Sequence, residues 1–512
     1  MATQASAITF LSAPGQGYLD GLGFVQIYFG MPIALIIVCV YFLPMFHKLN
    51  VYTAYEFLHD RFDLKTRLLG AFLFLLQRGI GAGLTIYAPA IVLSTMFGWS
   101  LEGTIIFSGI IVIAYTVVGG TDVVTLTQKY QLMVILIGML TAGWMLIARL
   151  PSGMAFDDVM HVAGGFHRLQ AVNFSLDPHE RYTFWSGLLG GTFLMMSYFG
   201  TDQSQVQRYI KGQSLRESRL GLLFNAICKI PMQFAILFLG VLLFVFYQFQ
   251  QPPLFFDTTA NKYMAQMKDD QRLTAYTRSF DVARGQVRDS LRNWLSAKHR
   301  GDVDGANALF SEAVKAQQES ERIRLEARNE VEHRGQLKTS NADYVFITFI
   351  MRELPHGVVG LLVAAFFLAA LSAKSAELNA LGTSTTIDVY KLILKTDADE
   401  AHSMNATRWF TAFWGVVAIV IALFAHFAEN LIQAVNILGS IFYGVMLALF
   451  LVAFGIGGVR GTAMFWSAII AQTLIIVMYF TLSISYLWYP LIGCAMCVIL
   501  SLILQATLER TT

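Results

Sequence analysis

Charge is scarce in this chain of 512 residues: Asp, Glu, Lys and Arg make up 14% of it and nearly cancel, leaving a formal +2. That density is well under the roughly 25% of a soluble domain. A surplus so small excludes the basic face that nucleic acid requires. Only four cysteines occur, Cys39, Cys228, Cys494 and Cys497, all within apolar stretches, so no disulfide framework is implied. The C-x-x-C of Cys494 and Cys497 has no His or further Cys beside it and reads as two small packing residues. H-E-x-x-H, a P-loop and a nucleophile elbow are missing, which leaves an enzyme without its machinery. No basic stretch precedes an apolar run at the start, so no cleavable signal peptide is expected.

What fills the chain is apolar: 55% hydrophobic residues, 40 Phe and 8 Trp, with mean hydropathy +0.56. At about 20 apolar residues per crossing, twelve membrane spans are expected. They fall near residues 4–18, 21–46, 66–97, 101–118, 123–149, 183–210, 218–249, 356–389, 407–427, 429–456, 460–483 and 486–507. Basic residues gather in the loops after the second span (Lys48, Arg61, Lys65, Arg67) and the sixth (Arg208, Lys211, Arg216, Arg219). Lys391, Lys395, Arg408 and Arg460, after the eighth and tenth, agree. Such loops stay in the cytoplasm, so both termini are expected there.

Residues 252–340 break the pattern, holding 28 of the chain's 70 charged residues. By the same orientation this segment lies outside. Apolar residues recur at Leu291, Trp294 and Leu295 and at Leu309, Phe310 and Val314, and Gly301-Asp-Val-Asp-Gly305 reads as a turn between two long helices. A lid, a docking surface for an extracytoplasmic partner and a merely solvated insertion all fit.

Within the eighth span, Leu371-Ser-Ala-Lys-Ser-Ala-Glu-Leu-Asn379 follows an almost wholly apolar run from Gly357. A Lys or an acid at mid-span costs about 2.5–3.5 kcal/mol on an insertion scale. The polar residues Ser372, Lys374, Ser375, Glu377 and Asn379 are therefore expected at an ion or solute site. The plainer alternative pairs Lys374 with Glu377 one turn away. In the first span, Ser12-Ala-Pro14-Gly15-Gln-Gly17 suits either a broken, ligand-binding helix or an ordinary kink. In the third, Arg78 stands among apolar residues and glycines, and its planar fork suits a carboxylate.

Ser372 to Tyr390 (SAKSAELNALGTSTTIDVY) resembles the eighth core helix of the sodium/solute symporter family, and other segments match in the same order. Pro44 to Phe62 (PMFHKLNVYTAYEFLHDRF) is similar to its second intracellular loop, Gly119 to Gln131 (GGTDVVTLTQKYQ) to the entry of its fifth core helix, and Gly200 to Arg208 (GTDQSQVQR) to the end of its sixth. The resemblance implies an all-α integral membrane fold: two inverted five-helix repeats, helices 1 and 6 broken near the midplane, and extra helices at the C-terminus. The chain then divides into 1–251 (spans one to seven), 252–340 (the insertion), 341–456 (spans eight to ten) and 457–512 (two further spans). Members usually carry one more helix at the start. Met1 falls inside the first core helix, so that leading helix is expected to be lost or truncated.

The family's sodium site, carried over by alignment, comprises Ala2, Ala5, Ala369, Ser372 and Ala373, with one hydroxyl replaced by the methyl of Ala373. At its second sodium site the family's Asp and hydroxyls become Gln128, Ser375 and Ala376, so that site is not expected to work. Lys129 and Lys374 stand nearby, and either is a candidate surrogate cation or proton carrier. Similarity to the sialic acid branch places Ser6 and Thr9 beside Arg78 at the substrate. Tyr28 occupies a position used by the sugar-carrying branch. Asp202, with Gln203 after it, falls where members contact substrate, or else forms a buried pair with Arg78, Lys229 or Lys374.

The resulting expectation is a secondary transporter in a bacterial inner membrane that imports a small organic solute, carboxylate-bearing such as sialic acid, by sodium symport. Sodium is its coupling ion and no cofactor is needed. Proton-coupled or ion-independent transport through Lys374 or Lys129 is the alternative, as is a solute sensor that does not transport.

Overall fold

The computed structural model describes residues 7–49, 52–210, 214–267, 269–336, 338–339, 341–395, 397, 399–424 and 430–511, and the side chains of these except 7, 49, 119–129, 510 and 511. Among the described residues all regular structure is helical. The first half holds α1 (Ala7–Asp20), α2 (Met31–Ile37), α3 (Leu43–Leu49), α4 (Glu56–Arg61), α5 (Leu64–Phe97), α6 (Leu101–Ala148), α7 (Phe156–Gly165), α8 (Gly191–Gly200), α9 (Gln203–Ile210) and α10 (Leu215–Phe249). Then come α11 (Thr258–Gln266), α12 (Gln271–His299), α13 (Val303–Gly335), α14 (Asn341–Glu353), α15 (His356–Ser384), α16 (Glu400–Phe424), α17 (Leu431–Gly455), α18 (Gly461–Thr481) and α19 (Tyr489–Thr511).

Ten of the described helical stretches are long and apolar enough to cross a membrane, against twelve expected from the sequence. Two local events account for the difference. Ile8–Lys48 forms one helical run of 41 residues. At 1.5 Å per residue that would reach about 60 Å, twice a bilayer's hydrocarbon core. Gly21, with φ of 69°, breaks it between the first two expected spans. The sixth expected span is interrupted at Thr201-Asp202, between α8 and α9, so neither piece is long enough alone. The fourth and fifth are two apolar windows, Leu101–Val118 and Tyr130–Ala148, of the single helix α6.

One local reading needs correction. Over its described length α1 runs unbroken through Pro14. Gly15 lies against the Ala342 carbonyl of α14 and Gly17 against the Leu237 carbonyl of α10, with no room for a Cβ at either. These glycines serve close helix packing rather than an unwound ligand site.

Between α10 and α14 the chain leaves the apolar bundle as a hairpin of two long helices, α12 and α13, turning at Gly301 with φ of 77°. Asp302 caps α13 by accepting from Gly305 N at 2.9 Å. The hairpin is seated by aromatic packing: the His161 ring of α7 stacks on Trp294 at 5.2 Å, and Phe310 meets both. Arg284 reaches back to Gln248 at the end of α10, 3.2 Å away. All four cysteines carry free thiols.

Candidate solute and ion site

A cavity of about 160 Å3 lies inside the bundle, walled by α1, α2 with the turn before it, α5, α8, α10, α15 and α17. Its chemistry follows from the interruption between α8 and α9. Asp202 sits at that break, and its Oδ1 accepts from Ser204 N at 2.9 Å and Ser204 Oγ at 2.6 Å, capping the start of α9. Its Oδ2 faces across to α5 and α17, taking an ion pair from Arg78 and a 2.8 Å hydrogen bond from the Tyr443 hydroxyl. Capping thus aims a carboxylate that α8 alone could not present.

Arg78 is almost fully buried and carries the network onward. Its Nη2 donates to Tyr443 Oη at 3.0 Å, and its Nη1 lies 3.4 Å from Glu377 Oε1 on α15. Glu377 Oε2 in turn accepts from Lys374 Nζ at 3.0 Å and Thr85 Oγ1 at 3.4 Å. The Arg78 guanidinium also lies 5.4 Å from the Tyr198 ring centroid, a cation–π distance. Arg78, Lys374, Glu377, Thr9, Tyr28 and Lys229 all line the cavity, and the Lys229 ammonium sits 5.7 Å from the Tyr28 ring.

The opposite face of α15 carries a different grouping. Ser372 Oγ stands 3.1 Å from both the Ala369 carbonyl oxygen and Gln131 Oε1 of α6. A hydroxyl has one proton to donate, so this is a set of three convergent oxygens, a donor type suited to a hard cation. Ala373, buried beside them, adds only a methyl. Two positions along a helix turn through about 200°, which is why Lys374 faces the solute cavity and Ser372 does not.

Of the residues expected at the solute site, Thr9, Tyr28 and Arg78 converge on the cavity. Asp202 lies behind Arg78 in the buried pair given above as its alternative role. Gln203 is engaged elsewhere, accepting from Ala54 N at 2.9 Å and donating to Tyr52 O at 3.1 Å, and it lines a separate cavity of about 470 Å3. Ser6, Ala2 and Ala5 lie outside the described residues, as do the side chains of Gln128 and Lys129. Ala369 and Ser372 meet; Ser375 is buried on the same helix. Sequence reasoning named Lys229 only as an alternative partner of Asp202 and placed Tyr443, Asn436 and Gln131 at neither site. Lys229 carried the same signal as Lys374, a cation in an apolar run. Gln131 closes the segment Gly119–Gln131 matched above but was given no role there, and Tyr443 and Asn436 are single polar residues with no pattern around them.

A sialic acid symporter, Na+-coupled and solved substrate-bound and outward-open, superposes with a TM-score of 0.71 over 99% of this chain and 88% of its own, at 20% identity. That likeness shows the fold. Among curated proteins, the human sodium/iodide cotransporter is 32% identical over 245 residues, 47% of this chain and 37% of the cotransporter. The human sodium-coupled monocarboxylate transporter 1 is 34% identical over 224 residues, 43% of this chain and 36% of its own. The matches thus span little more than a third of these relatives. The model of the sodium:solute symporter family matches residues 1–257 and 332–471, skipping most of the hairpin but taking in the residues that line the central cavity, and the chain belongs to that family.

Proposed function

We propose that the chain imports a small monovalent organic anion, a short monocarboxylate, together with sodium. The observation that carries this reading is the charge around the central cavity. Three cations (Arg78, Lys229, Lys374) line it against one lining carboxylate, Glu377, with Asp202 paired behind Arg78, so the wall keeps a net positive charge for a carboxylate to neutralise. Volume supports the same class: a cavity of roughly 150 Å3 accommodates benzene, so 160 Å3 suits a short acid better than a sugar acid such as sialic acid. Relatives named for iodide and for monocarboxylates also handle single negative charges.

Sodium is assigned to the oxygens of Ala369, Ser372 and Gln131, together with helix 1 carbonyls from the segment holding Ala2 and Ala5. Lys374 is then a solute-site residue, engaged with Glu377 on the other face, rather than a surrogate ion. Binding at both sites favours one arrangement of the broken helices over the other, and that differential affinity drives alternating access. The termini are assigned to the cytoplasm and the hairpin to the outer side of a bacterial inner membrane, following the basic loops.

The test is uptake of labelled lactate, propionate and sialic acid by proteoliposomes under a sodium gradient, a pH gradient or neither. Sodium-driven uptake of the short acids is expected. Uptake driven by pH alone would move coupling to a lysine, and binding without accumulation would make the protein a sensor.

A further inference from the structure

The hairpin and the bundle enclose another cavity, of about 400 Å3. Four guanidiniums line it, Arg168 and Arg181 from the segment between α7 and α8 and Arg324 and Arg328 from α13, against two carboxylates, Asp20 and Glu321. Arg328 is already neutralised by Glu332, 2.8 Å away just outside the lining, so one unit of positive charge remains. The arginines are held rather than loose: Arg168 donates to the Leu19 carbonyl and lies 4.6 Å from the Phe244 ring centroid. Arg324 donates to the Leu254 and Pro253 carbonyls at 3.1 and 3.2 Å, which uses two of its five N–H donors. Arg168 also keeps its Nε–H buried with no hydrogen-bond partner, a donor without an acceptor in a basic cavity.

Its position relative to the central cavity gives this chemistry a purpose. Both cavities are bordered by α1 and by the start of α17. Gln16 of the second follows Thr9 of the first by seven residues, about 10 Å of helix. Gln433 lines the second and its neighbours Ile432 and Val435 the first. At the boundary the Asn430 amide donates to Gln16 Oε1, joining the two elements. Residues 258–331, which supply Glu321, Arg324 and Arg328, lie outside the family match.

We infer that the second cavity is a loading site that binds the solute's carboxylate before it passes the Gln16–Asn430 pair into the central cavity. This rests on the anion reading above. A basic, partly enclosed wall concentrates a monovalent anion near the entrance and raises its rate of capture, an effect that salt screens.

The experiment measures sodium-driven lactate uptake by the full chain in proteoliposomes, comparing wild type with Arg181→Gln/Arg324→Gln and with the charge-preserving Arg181→Lys/Arg324→Lys. Expected for the Gln pair is a KM raised about tenfold, a maximal rate within twofold of wild type, and a loss of most of the dependence of KM on ionic strength. The Lys pair should stay near wild type. An unchanged KM in the Gln pair overturns the proposal. So does a fall in maximal rate shared by both pairs, which marks the arginines as structural supports. Arg78→Gln separates the two readings: if it abolishes uptake while the Gln pair leaves KM unchanged, the anion reading stands and the loading site falls. Wild type that takes up no lactate overturns both.

Discussion

The bundle and the hairpin use charge in opposite ways. In the hairpin, charges are dense and wet: Arg322 pairs with Glu319 and Glu326 while its side chain stays 60% exposed. In the bundle they are few and dry, with Arg78 at 6% and Asp202 at 0%. Screening by water leaves surface pairs worth little, whereas a buried pair becomes costly to break, because the surviving partner cannot be rehydrated. Abundance and importance therefore run opposite ways along this sequence. The hairpin matters where its arginines turn from solvent and face the bundle.

Substitutions that unpair a charge in the bundle should have the largest effect. Arg78→Gln strands Asp202, at a cost of about 3–5 kcal/mol, and uptake should fall by at least ~100-fold. Adding Asp202→Asn should restore thermal stability without restoring uptake, which separates folding from solute binding. Preserved uptake in Arg78→Gln would collapse the distinction between the regions.

Trp294→Ala removes the apolar centre of the hairpin's seat on α7, and truncation of a buried Trp costs about 3–5 kcal/mol. Limited proteolysis should then release the hairpin while the bundle stays intact. Ser372→Ala takes one oxygen from the proposed sodium set. The sodium concentration for half-maximal uptake should rise about tenfold, with lactate KM little changed at saturating sodium.

A smaller effect is expected from pH at the base of α13. Burial alone would raise the carboxyl of Glu332, but hydrogen bonds from Arg328 and Thr339, with Lys338 beside them, outweigh it and hold the group at about 2. Its value in the folded protein is lower than its ordinary 4.5, so its stabilising contribution is complete above about pH 4.5 and is lost as pH falls through about 2. Hydrogen exchange across 325–336 should accelerate over that interval, and Glu332→Gln should remove the dependence. Smallest of all, Arg322→Ala should leave both the unfolding midpoint and uptake unchanged; a clear loss in either would show that surface charge in the hairpin is not dispensable.

Much of the architecture was legible because a bilayer imposes a length and a composition on whatever crosses it. The apolar windows, the charged interruption at 252–340 and the turn at Gly301 could each be read from local residue pattern. The break between α8 and α9 was legible only through resemblance, since Thr201-Asp202 carries no Pro or repeated Gly to mark it. The site was partly legible. Arg78, Lys374 and Glu377 stood out because charge in an apolar run is costly. Gln131 and Tyr443 did not, because a polar group that can hydrogen-bond within a span carries no comparable penalty.

By itself the sequence determined that the chain spans a membrane, where charge interrupts it and which family pattern it follows, because hydropathy and local motifs are properties of neighbours along the chain. Only the tertiary structure decided which face each charge takes. Ser372 and Lys374 are two residues apart yet serve different groupings, and Arg78 meets Asp202 from 124 positions away. Pairing in a medium that excludes water depends on distance in space, which the order of residues does not record.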